Sequence, residues 1–352
     1  MISIRIRLAF AAALLFPSLA MAQGEANWWF FGTNAGVSFA SGSPVGVVGA
    51  MSQSEGVASI SDASGNLLFY TSGIDVWNKF DVQMPNGFGL WGDPSSTQSG
   101  VIVQKPGSTT EYYLFTCAAQ AGGTFTSSTY DGVAYSIVDM TLDGGNGDVV
   151  AASKNTPLLA STAEKLTAVR HCNGVDVWII MHKWESDAFY AFLLTASGVD
   201  PVPVISNIGP LYTNAAGTGS NEETIGYLKA SPQGDKLASC VWYVENNDVE
   251  LYDFDKMTGV VSNYTPLPTG GWAYGASFSP DGTKLYASFI DVNGWLPYSI
   301  VQWDLSAPNP ASTMTIIDPN VVYMGAMQLG PDGKIYVSEG AASSLHVINN
   351  PN

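Results

Sequence analysis

Charge is scarce in this sequence. Charged residues make up 12% of its 352 residues, about half of the usual share of roughly 25%. Thirteen Lys and Arg stand against 30 Asp and Glu, which gives a formal net charge of −17. Nucleic-acid binding depends on basic side chains that neutralise phosphates, so the composition disfavours DNA and RNA as partners. It disfavours an anionic membrane surface for the same reason.

Cysteine and histidine are also few, with three of each. An odd number of cysteines cannot form a full disulfide set. Cys117 and Cys240 lie in apolar runs and are predicted to be buried thiols, whereas Cys172 lies at the mouth of a predicted hairpin. No Cys-x-x-Cys pair and no Cys/His zinc spacing occurs, so the sequence does not predict a structural zinc site.

Long apolar runs are missing except at the N-terminus. There, MISIRIR is followed by the apolar LAFAAALLF and by Ala20-Met21-Ala22, which has the small-x-small form of a cleavage site. The apolar stretch is too short to span a bilayer comfortably, which disfavours the alternative of a membrane anchor. Residues 1–22 are therefore predicted to be a signal peptide. The mature chain would begin at Gln23, would be secreted or held at the cell surface, and would not insert into a membrane.

Long helical periodicity is absent, and short apolar runs rich in Val, Ile, Tyr, Phe and Trp alternate with turn signals instead. The best helix candidate by propensity, residues 161–170, runs directly into Asn173-Gly174, a hairpin signal, and is therefore predicted to be a strand. The other strand predictions cover residues 67–70, 101–103, 112–117, 133–138, 175–182, 188–194, 237–244, 249–254, 284–289, 299–305, 334–338 and 345–348.

A turn-plus-strand pattern repeats along the chain. FSPDGTKLYAS (278–288), LGPDGKIYVS (329–338) and ASPQGDKLAS (230–239) are close copies, and looser copies lie nearer the N-terminus. The turn glycines, 42 to 67 residues apart, are Gly65, Gly107, Gly174, Gly234, Gly282 and Gly333. A propeller blade of four strands spans about 40–50 residues, and glycine supplies the positive φ that such turns need. A β-sandwich or a solenoid is the alternative.

The repeats predict one all-β domain over residues 23–352, a β-propeller of four-stranded, WD/YVTN-like blades, six or seven in number. Residues 27–39 contain two further strand-like runs that could help close the ring. The last predicted strand ends close to the end of the chain. Either N-terminal strands complete the last blade, or the domain is incomplete at its C-terminus.

Several segments resemble the N-terminal propeller region of large secreted Bacteroidota proteins that carry a gliding-motility-associated or type IX secretion sorting domain. The resemblance is carried by NWWFFGTNAGVSF (27–39), EGVASISDASGNLLFYTSGIDVWN (55–78), EKLTAVRHCNGVDVWIIMHKW (164–184) and LGPDGKIYVSEG (329–340). It implies a propeller exported from a Gram-negative cell and brings no catalytic residues. Such proteins usually continue past the point at which this sequence ends, and nothing like a sorting domain is present here.

A group of polar and aromatic residues surrounds the predicted Asn173-Gly174 hairpin. A two-residue turn would place His171 opposite Asp176, Lys165 opposite His182 and Glu164 opposite Lys183. An acid/base or sugar-binding patch is one hypothesis, and a cross-strand charge ladder beside a satisfied histidine is the other. The candidate ligand-binding residues of this group are Glu164, Lys165, Arg170, His171, His182 and Trp184.

Two further features are candidates for binding. Asp143, Asn146 and Asp148 space oxygen ligands as calcium loops do, although a plain connecting turn is the simpler interpretation; calcium is the one cofactor left open. Four of the ten tryptophans lie near Gly, Pro or Asn and could stack on sugar rings or anchor a protein, if they do not pack between blades. These are Trp77, Trp91, Trp272 and Trp295.

No phosphate loop and no nucleophile elbow is present. The sequence therefore predicts a secreted binding or adhesion module for carbohydrate or protein ligands. A secreted polysaccharide lyase or hydrolase with Glu164, Lys165 and His182 near its site is the alternative, and a structural surface component without a small ligand is a third possibility.

Overall fold

The computed structural model describes residues 24–119, 130–213, 221–242, 248–291, 298–321, 324–340 and 344–352, with the backbone alone at 320, 321 and 324. The predicted signal peptide, residues 1–22, lies outside the described residues. Within them the chain forms β-strands and short 3₁₀ turns, arranged in seven antiparallel sheets, each built from consecutive strands. These sheets are the blades of a β-propeller.

The first three blades carry strands β1 to β11. Blade 1 contains β1 (Trp28–Phe31), β2 (Thr33–Ser38) and β3 (Val45–Ser52), and blade 2 contains β4 (Ala58–Ser61), β5 (Leu67–Thr71) and β6 (Val76–Asn78). Blade 3 contains β7 (Gly100–Gln104), β8 (Glu111–Cys117), β9 (Gly132–Asp139), β10 (Asp148–Val149) and β11 (Thr156–Ala160).

The other four blades carry β12 to β27. Blade 4 contains β12 (Thr162–Arg170), β13 (Val177–Lys183), β14 (Ala188–Thr195), β15 (Gly198–Val199) and β16 (Val204–Asn207). Blade 5 contains β17 (Leu228–Ala230), β18 (Lys236–Cys240), β19 (Val249–Phe254) and β20 (Val261–Pro266). Blade 6 contains β21 (Gly271–Phe278), β22 (Lys284–Asp291), β23 (Tyr298–Asp304) and β24 (Thr315–Val321), and blade 7 contains β25 (Met324–Leu329), β26 (Ile335–Glu339) and β27 (Leu345–Ile348).

The first strand of each blade lies on the inside of the ring. β1 contacts β4, β4 contacts β7, and the series continues through β12, β17 and β21 to β25. Blade 7 meets blade 1 through aromatic rings, because Tyr336 lies 5.5 Å from Trp29 and 5.4 Å from Phe39. The expectation that the N-terminal segment helps to close the ring is therefore confirmed. It does so as a separate blade and not by adding strands to the last one.

The six predicted turn glycines all have positive φ, between 70° and 85°, and each lies between the first two strands of a blade. The expectation of four strands in every blade is wrong in detail. In the described residues, three blades have three strands, two have four and two have five. The additional strands arise where two short segments pair with different parts of one neighbour, as β15 and β16 do with β14.

The predicted segment forms a strand, Thr162–Arg170, and the hairpin keeps the predicted register. The two-residue turn is wrong, because the His171 amide donates to the Asp176 carbonyl and the Gly174 amide to the His171 carbonyl, which makes residues 172–175 a four-residue loop. Arg170 pairs with Val177, and Leu166 pairs with Met181. The register then shifts, so that Thr162 lies opposite Lys183. The predicted pairs of Lys165 with His182 and of Glu164 with Lys183 are therefore wrong, because a bulge interrupts the ladder between residues 162 and 166.

All three cysteines are free thiols: Cys117 and Cys240 are buried and Cys172 is exposed, as expected. Among the described residues, no helix has the length and apolar character needed to cross a bilayer.

Candidate functional site

A cavity of about 1990 Å³ lies inside the ring and is lined by residues from all seven blades. We call it the central channel. At the face of the ring where the inner strands begin, it is bordered by Glu55, Tyr227, Trp242 and Tyr274, with Trp272 packed behind Trp242. These five residues are called the channel mouth, and each of them is half-buried.

The aromatic rings of the channel mouth meet at steep angles. Tyr227 and Tyr274 are 5.7 Å apart at 73°, and Trp242 and Tyr274 are 6.2 Å apart at 90°. Trp272 lies 5.8 Å from Trp242 at 60°. The backbone fixes this arrangement because the amide of Tyr227 donates to the carbonyl of Tyr274 at 2.9 Å, which joins the inner edges of blades 5 and 6. The rings therefore form walls that face different directions.

Glu55 is the carboxylate of the channel mouth. It precedes β4 of blade 2, yet its Oε2 accepts a hydrogen bond of 2.8 Å from the hydroxyl of Tyr274 in blade 6. Burial raises the pKa of Glu55 to about 7, and the like charges of Glu164 and Asp93 act in the same direction, against hydrogen bonds from Tyr274 and Ser95. Glu55 can therefore exchange a proton near neutral pH.

The loop at residues 93–99 holds blades 4 and 5 together beside the channel mouth. Gln98 Oε1 accepts from the amides of Leu166 (3.1 Å) and Leu228 (2.7 Å), and its Nε2 donates to the carbonyls of the same two residues. Thr97 donates through its amide (2.9 Å) and its hydroxyl (3.0 Å) to Glu164 Oε2. Glu164 is thus a buried acceptor that fixes this loop.

Lys165 is fully buried, and its ammonium group binds backbone carbonyls instead of an acid. Nζ donates to Ile225 (2.9 Å), Gly226 (3.1 Å) and Cys240 (2.6 Å). Gly226 has φ of +112°, and a Cβ there would lie 2.3 Å from the Cys240 carbonyl oxygen, so this turn requires glycine. Burial lowers the pKa of Lys165 to about 8.

His182 is also fully buried, in an aromatic stack with Tyr212 at 3.9 Å. Burial lowers the pKa of His182 to about 3, and the charge of Lys165 acts in the same direction. The ring is therefore neutral at physiological pH. Its Nδ1 lies 2.9 Å from the carbonyl of Lys183, so Nδ1 carries the proton and donates.

Glu250 completes this buried network. Its Oε2 accepts from the hydroxyls of Tyr212 (2.5 Å) and Tyr252 (2.9 Å). Burial raises the pKa of Glu250 to about 7, against the two tyrosine hydrogen bonds and the charge of Lys165. The structure therefore brings Lys165 and His182 together around Tyr212, inside the junction of blades 4 and 5 and away from solvent.

The remaining residues predicted around the hairpin lie elsewhere. Trp184 is buried against Ala163 and Tyr212. Arg170 is exposed and donates to the Gly174 carbonyl at 3.2 Å. His171 is half-buried, with Nε2 3.3 Å from the Met257 carbonyl oxygen. The predicted patch is therefore divided between the interior of the protein and the opposite face of the ring.

The predicted tryptophans separate into two places. Trp272 packs behind Trp242 of the channel mouth and does not itself line the channel. Trp77 stacks on Tyr70 at 5.6 Å and Trp91 stacks on Tyr130 at 5.1 Å; both are half-buried and lie outside the lining of the channel. Trp295 lies outside the described residues.

At the predicted calcium loop, Asp143 is exposed and Asp148 is buried. Asp148 already accepts from the amide (2.8 Å) and the side-chain nitrogen (2.6 Å) of Asn86. Within the part of the chain that the structure describes, no group of three or more His, Cys, Asp or Glu side chains is placed to hold a metal ion. Calcium binding at this loop stays a prediction.

Sequence reasoning missed four residues of the channel mouth: Glu55, Tyr227, Trp242 and Tyr274. Three of them lie immediately before or near the start of an inner strand. Counted back from the turn glycine of its own blade, Glu55 lies ten residues before Gly65, Tyr227 seven before Gly234 and Tyr274 eight before Gly282. The turn glycines could therefore have placed these three residues near the same side of the ring.

No protein-family model and no curated protein matches this chain. Among solved structures, the hydrazine synthase of Kuenenia stuttgartiensis aligns with a TM-score of 0.51 at 15% identity, covering 90% of this chain and 89% of that one. The periplasmic gluconolactonase of Pseudomonas aeruginosa aligns with a TM-score of 0.44 at 12% identity, covering 71% of each chain. Hsv2 of Kluyveromyces lactis aligns with a TM-score of 0.42 at 9% identity, covering 89% of each chain. At such identities the likeness shows the propeller fold alone.

Proposed function

We propose that this protein is an exported binding or adhesion module whose central channel takes up a carbohydrate. The channel mouth carries the proposal. Its half-buried aromatic rings offer apolar faces on which sugar rings stack, and Glu55 offers an acceptor for hydroxyl groups, at the opening of a cavity of about 1990 Å³. Ligand sites in proteins typically combine such aromatic walls with a few placed polar groups.

The extracellular setting is part of the same proposal. It is supported by the signal-peptide pattern at residues 1–22 and by the resemblance to secreted Bacteroidota propeller proteins of the type IX secretion and gliding-motility-associated kind. The low content of basic residues fits a ligand other than nucleic acid.

The test is a panel of polysaccharides and oligosaccharides presented to residues 23–352, with release of reducing sugars and of unsaturated products followed in the same samples. We expect saturable binding without product, and a loss of affinity of at least about tenfold in Trp242→Ala, since the sugar ring loses a stacking partner. A well-folded protein that binds no glycan would overturn the proposal and favour a protein partner or a purely structural role.

A polysaccharide-acting hydrolase is the second candidate, and one observation favours it. Glu55, with a pKa raised to about 7 by burial, could donate a proton at neutral pH, and Glu164 acts on it electrostatically. Lys165 and His182 do not reach the channel, so this candidate rests on Glu55. Product release that disappears in Glu55→Gln would establish it over the binding module.

A further inference from the structure

The charges lining the central channel bear on the class of sugar that it binds. Among its described lining residues, the acids are Glu25, Glu55, Asp75 and Glu339, and the one basic side chain is Lys229. The chain as a whole carries a net charge of −17. A low-dielectric cleft lined by one sign of charge attracts ligands of the opposite sign and repels those of the same sign. An acidic polysaccharide is therefore a poor fit.

Lys229 lies beside the channel mouth, where its ammonium group already has partners. Its Nζ donates to Gln328 Oε1 at 2.9 Å and lies 5.0 Å from the ring centroid of Tyr227, two residues back along the chain. Burial in the channel lowers its pKa to about 8. The ring of Tyr227 thus already holds one ammonium group over its face.

Among the described residues, Glu55 accepts from hydroxyl groups and forms no ion pair. Its hydrogen-bond partners are Tyr274 and Ser95, and the like charges of Asp93 and Glu164 act on it. A carboxylate in such surroundings gains from any positive charge brought within about 4–6 Å.

The rings beside Glu55 suit a positive charge as well. Tyr274 packs edge to face with Trp242 and with Tyr227, with ring centroids 6.2 Å and 5.7 Å apart. An ammonium group within about 6 Å of a ring centroid is attracted by the negative face of the ring, most strongly for Trp. Perpendicular aromatic walls together with a carboxylate form a site for an organic cation.

We propose that the channel mouth binds a protonated amine, and that its carbohydrate ligand is an amino sugar with a free 2-amino group, such as an oligomer of glucosamine. This inference rests on the proposed function, because it names the sugar class for the same site. The ammonium group lies against Trp242 and Tyr274 and pairs with Glu55, while the pyranose ring stacks in the mouth. N-acetylation removes the charge and with it this recognition.

The experiment compares glucosamine hexamer with N-acetylglucosamine hexamer by calorimetric titration of residues 23–352 at about pH 7, where Glu55, whose pKa is raised to about 7, is still partly ionised. We expect the glucosamine oligomer to bind at least about tenfold more tightly, which corresponds to about 1.4 kcal/mol. Tetramethylammonium chloride should compete with it, whereas sodium chloride at the same ionic strength should compete less, which separates specific cation binding from screening.

Glu55→Gln is the decisive variant, because it keeps the shape of the side chain and removes the charge. We expect it to abolish the preference for the glucosamine hexamer, and far-UV circular dichroism and the thermal unfolding midpoint should show that the variant is folded. Trp242→Leu is the second variant; it keeps an apolar side chain but removes the ring face, and it should reduce the preference for the amine as well.

Three results would overturn the inference. Equal affinity of the wild-type protein for both hexamers, or tighter binding of the acetylated one, would refute amine recognition and leave carbohydrate binding in place. Failure to bind these hexamers or any glycan of the wider panel would refute the proposed function itself. Binding of a lysine-rich peptide without binding of glucosamine oligomers would assign the cation site to a protein ligand.

Discussion

Lys165 shows how a single side chain can hold two blades together. Its ammonium group reaches from the inner strand of blade 4 to three carbonyls that flank the inner strand of blade 5. In the sequence, adjacent Glu164 and Lys165 suggested a surface charge ladder or a catalytic patch, because charged residues are almost never fully buried unless they are paired. The partners of Lys165 are backbone atoms, which carry no sequence signature.

Replacing Lys165 tests this role. Lys165→Met keeps the aliphatic chain and leaves three buried carbonyls without their donor, so we expect the free energy of unfolding to fall by about 3 kcal/mol or more. Lys256→Met is the matched control, since the Lys256 ammonium group binds a single exposed carbonyl, that of Gln233; it should cost less than about 1 kcal/mol. Denaturant unfolding curves that show similar small losses for both variants would contradict the assignment.

Glu250 predicts a pH dependence of stability. Its pKa in the folded protein is raised by burial to about 7, above its ordinary value of 4.5. A raised pKa means that the folded state holds the proton more tightly, so this contribution is full below about pH 4.5 and is lost as the pH rises through about 7. Between these pH values, the free energy of unfolding of the wild-type protein should fall as the pH rises. In Glu250→Gln this fall should be smaller, by at most about 3 kcal/mol. An unchanged pH profile would show that Glu250 is ionised throughout.

At the scale of the elements, glycine turns were the most readable feature of the sequence. All six predicted turn glycines adopt positive φ, because the tight turn between the first two strands of a blade requires a conformation that other residues rarely adopt. The register of the blade 4 hairpin agreed with the prediction as far as Leu166 and Met181, although its loop contains four residues, 172–175, and not two. The bulge beyond them was not predictable, since it depends on contacts of Glu164 and Lys165 with residues 97 and 225–240.

Gly174 provides a test of the turn argument. Gly174→Ala puts a side chain on a residue with φ of +73°, so we expect a loss of about 1 kcal/mol in the free energy of unfolding. Gly46→Ala is the control, because a Cβ on Gly46 meets nothing within 4 Å and its φ lies outside the positive region. If both variants are equally stable, the positive φ of Gly174 is not what the turn requires.

At the scale of the whole molecule, the repeats predicted a propeller of six or seven blades, and the ring has seven. Closure depends on Tyr336 meeting Trp29 and Phe39, an aromatic contact between the two ends of the chain. The hydrogen bond between Glu55 and Tyr274 was not predictable from the sequence for a similar reason. Glu55 and Tyr274 are 219 residues apart, and they meet only because the ring brings the starts of distant inner strands to one face.

The most direct test of the channel mouth as the binding site is to determine where a glycan binds. Isothermal titration with the tightest glycan of the panel should be carried out on Trp242→Ala and on Trp91→Ala, a tryptophan of similar exposure that lies outside the channel lining. We expect a loss of affinity of at least about tenfold, or about 1.4 kcal/mol, for Trp242→Ala. The affinity of Trp91→Ala should be unchanged. A loss confined to Trp91→Ala would place the ligand at the rim of blade 2 and contradict the assignment of the channel mouth.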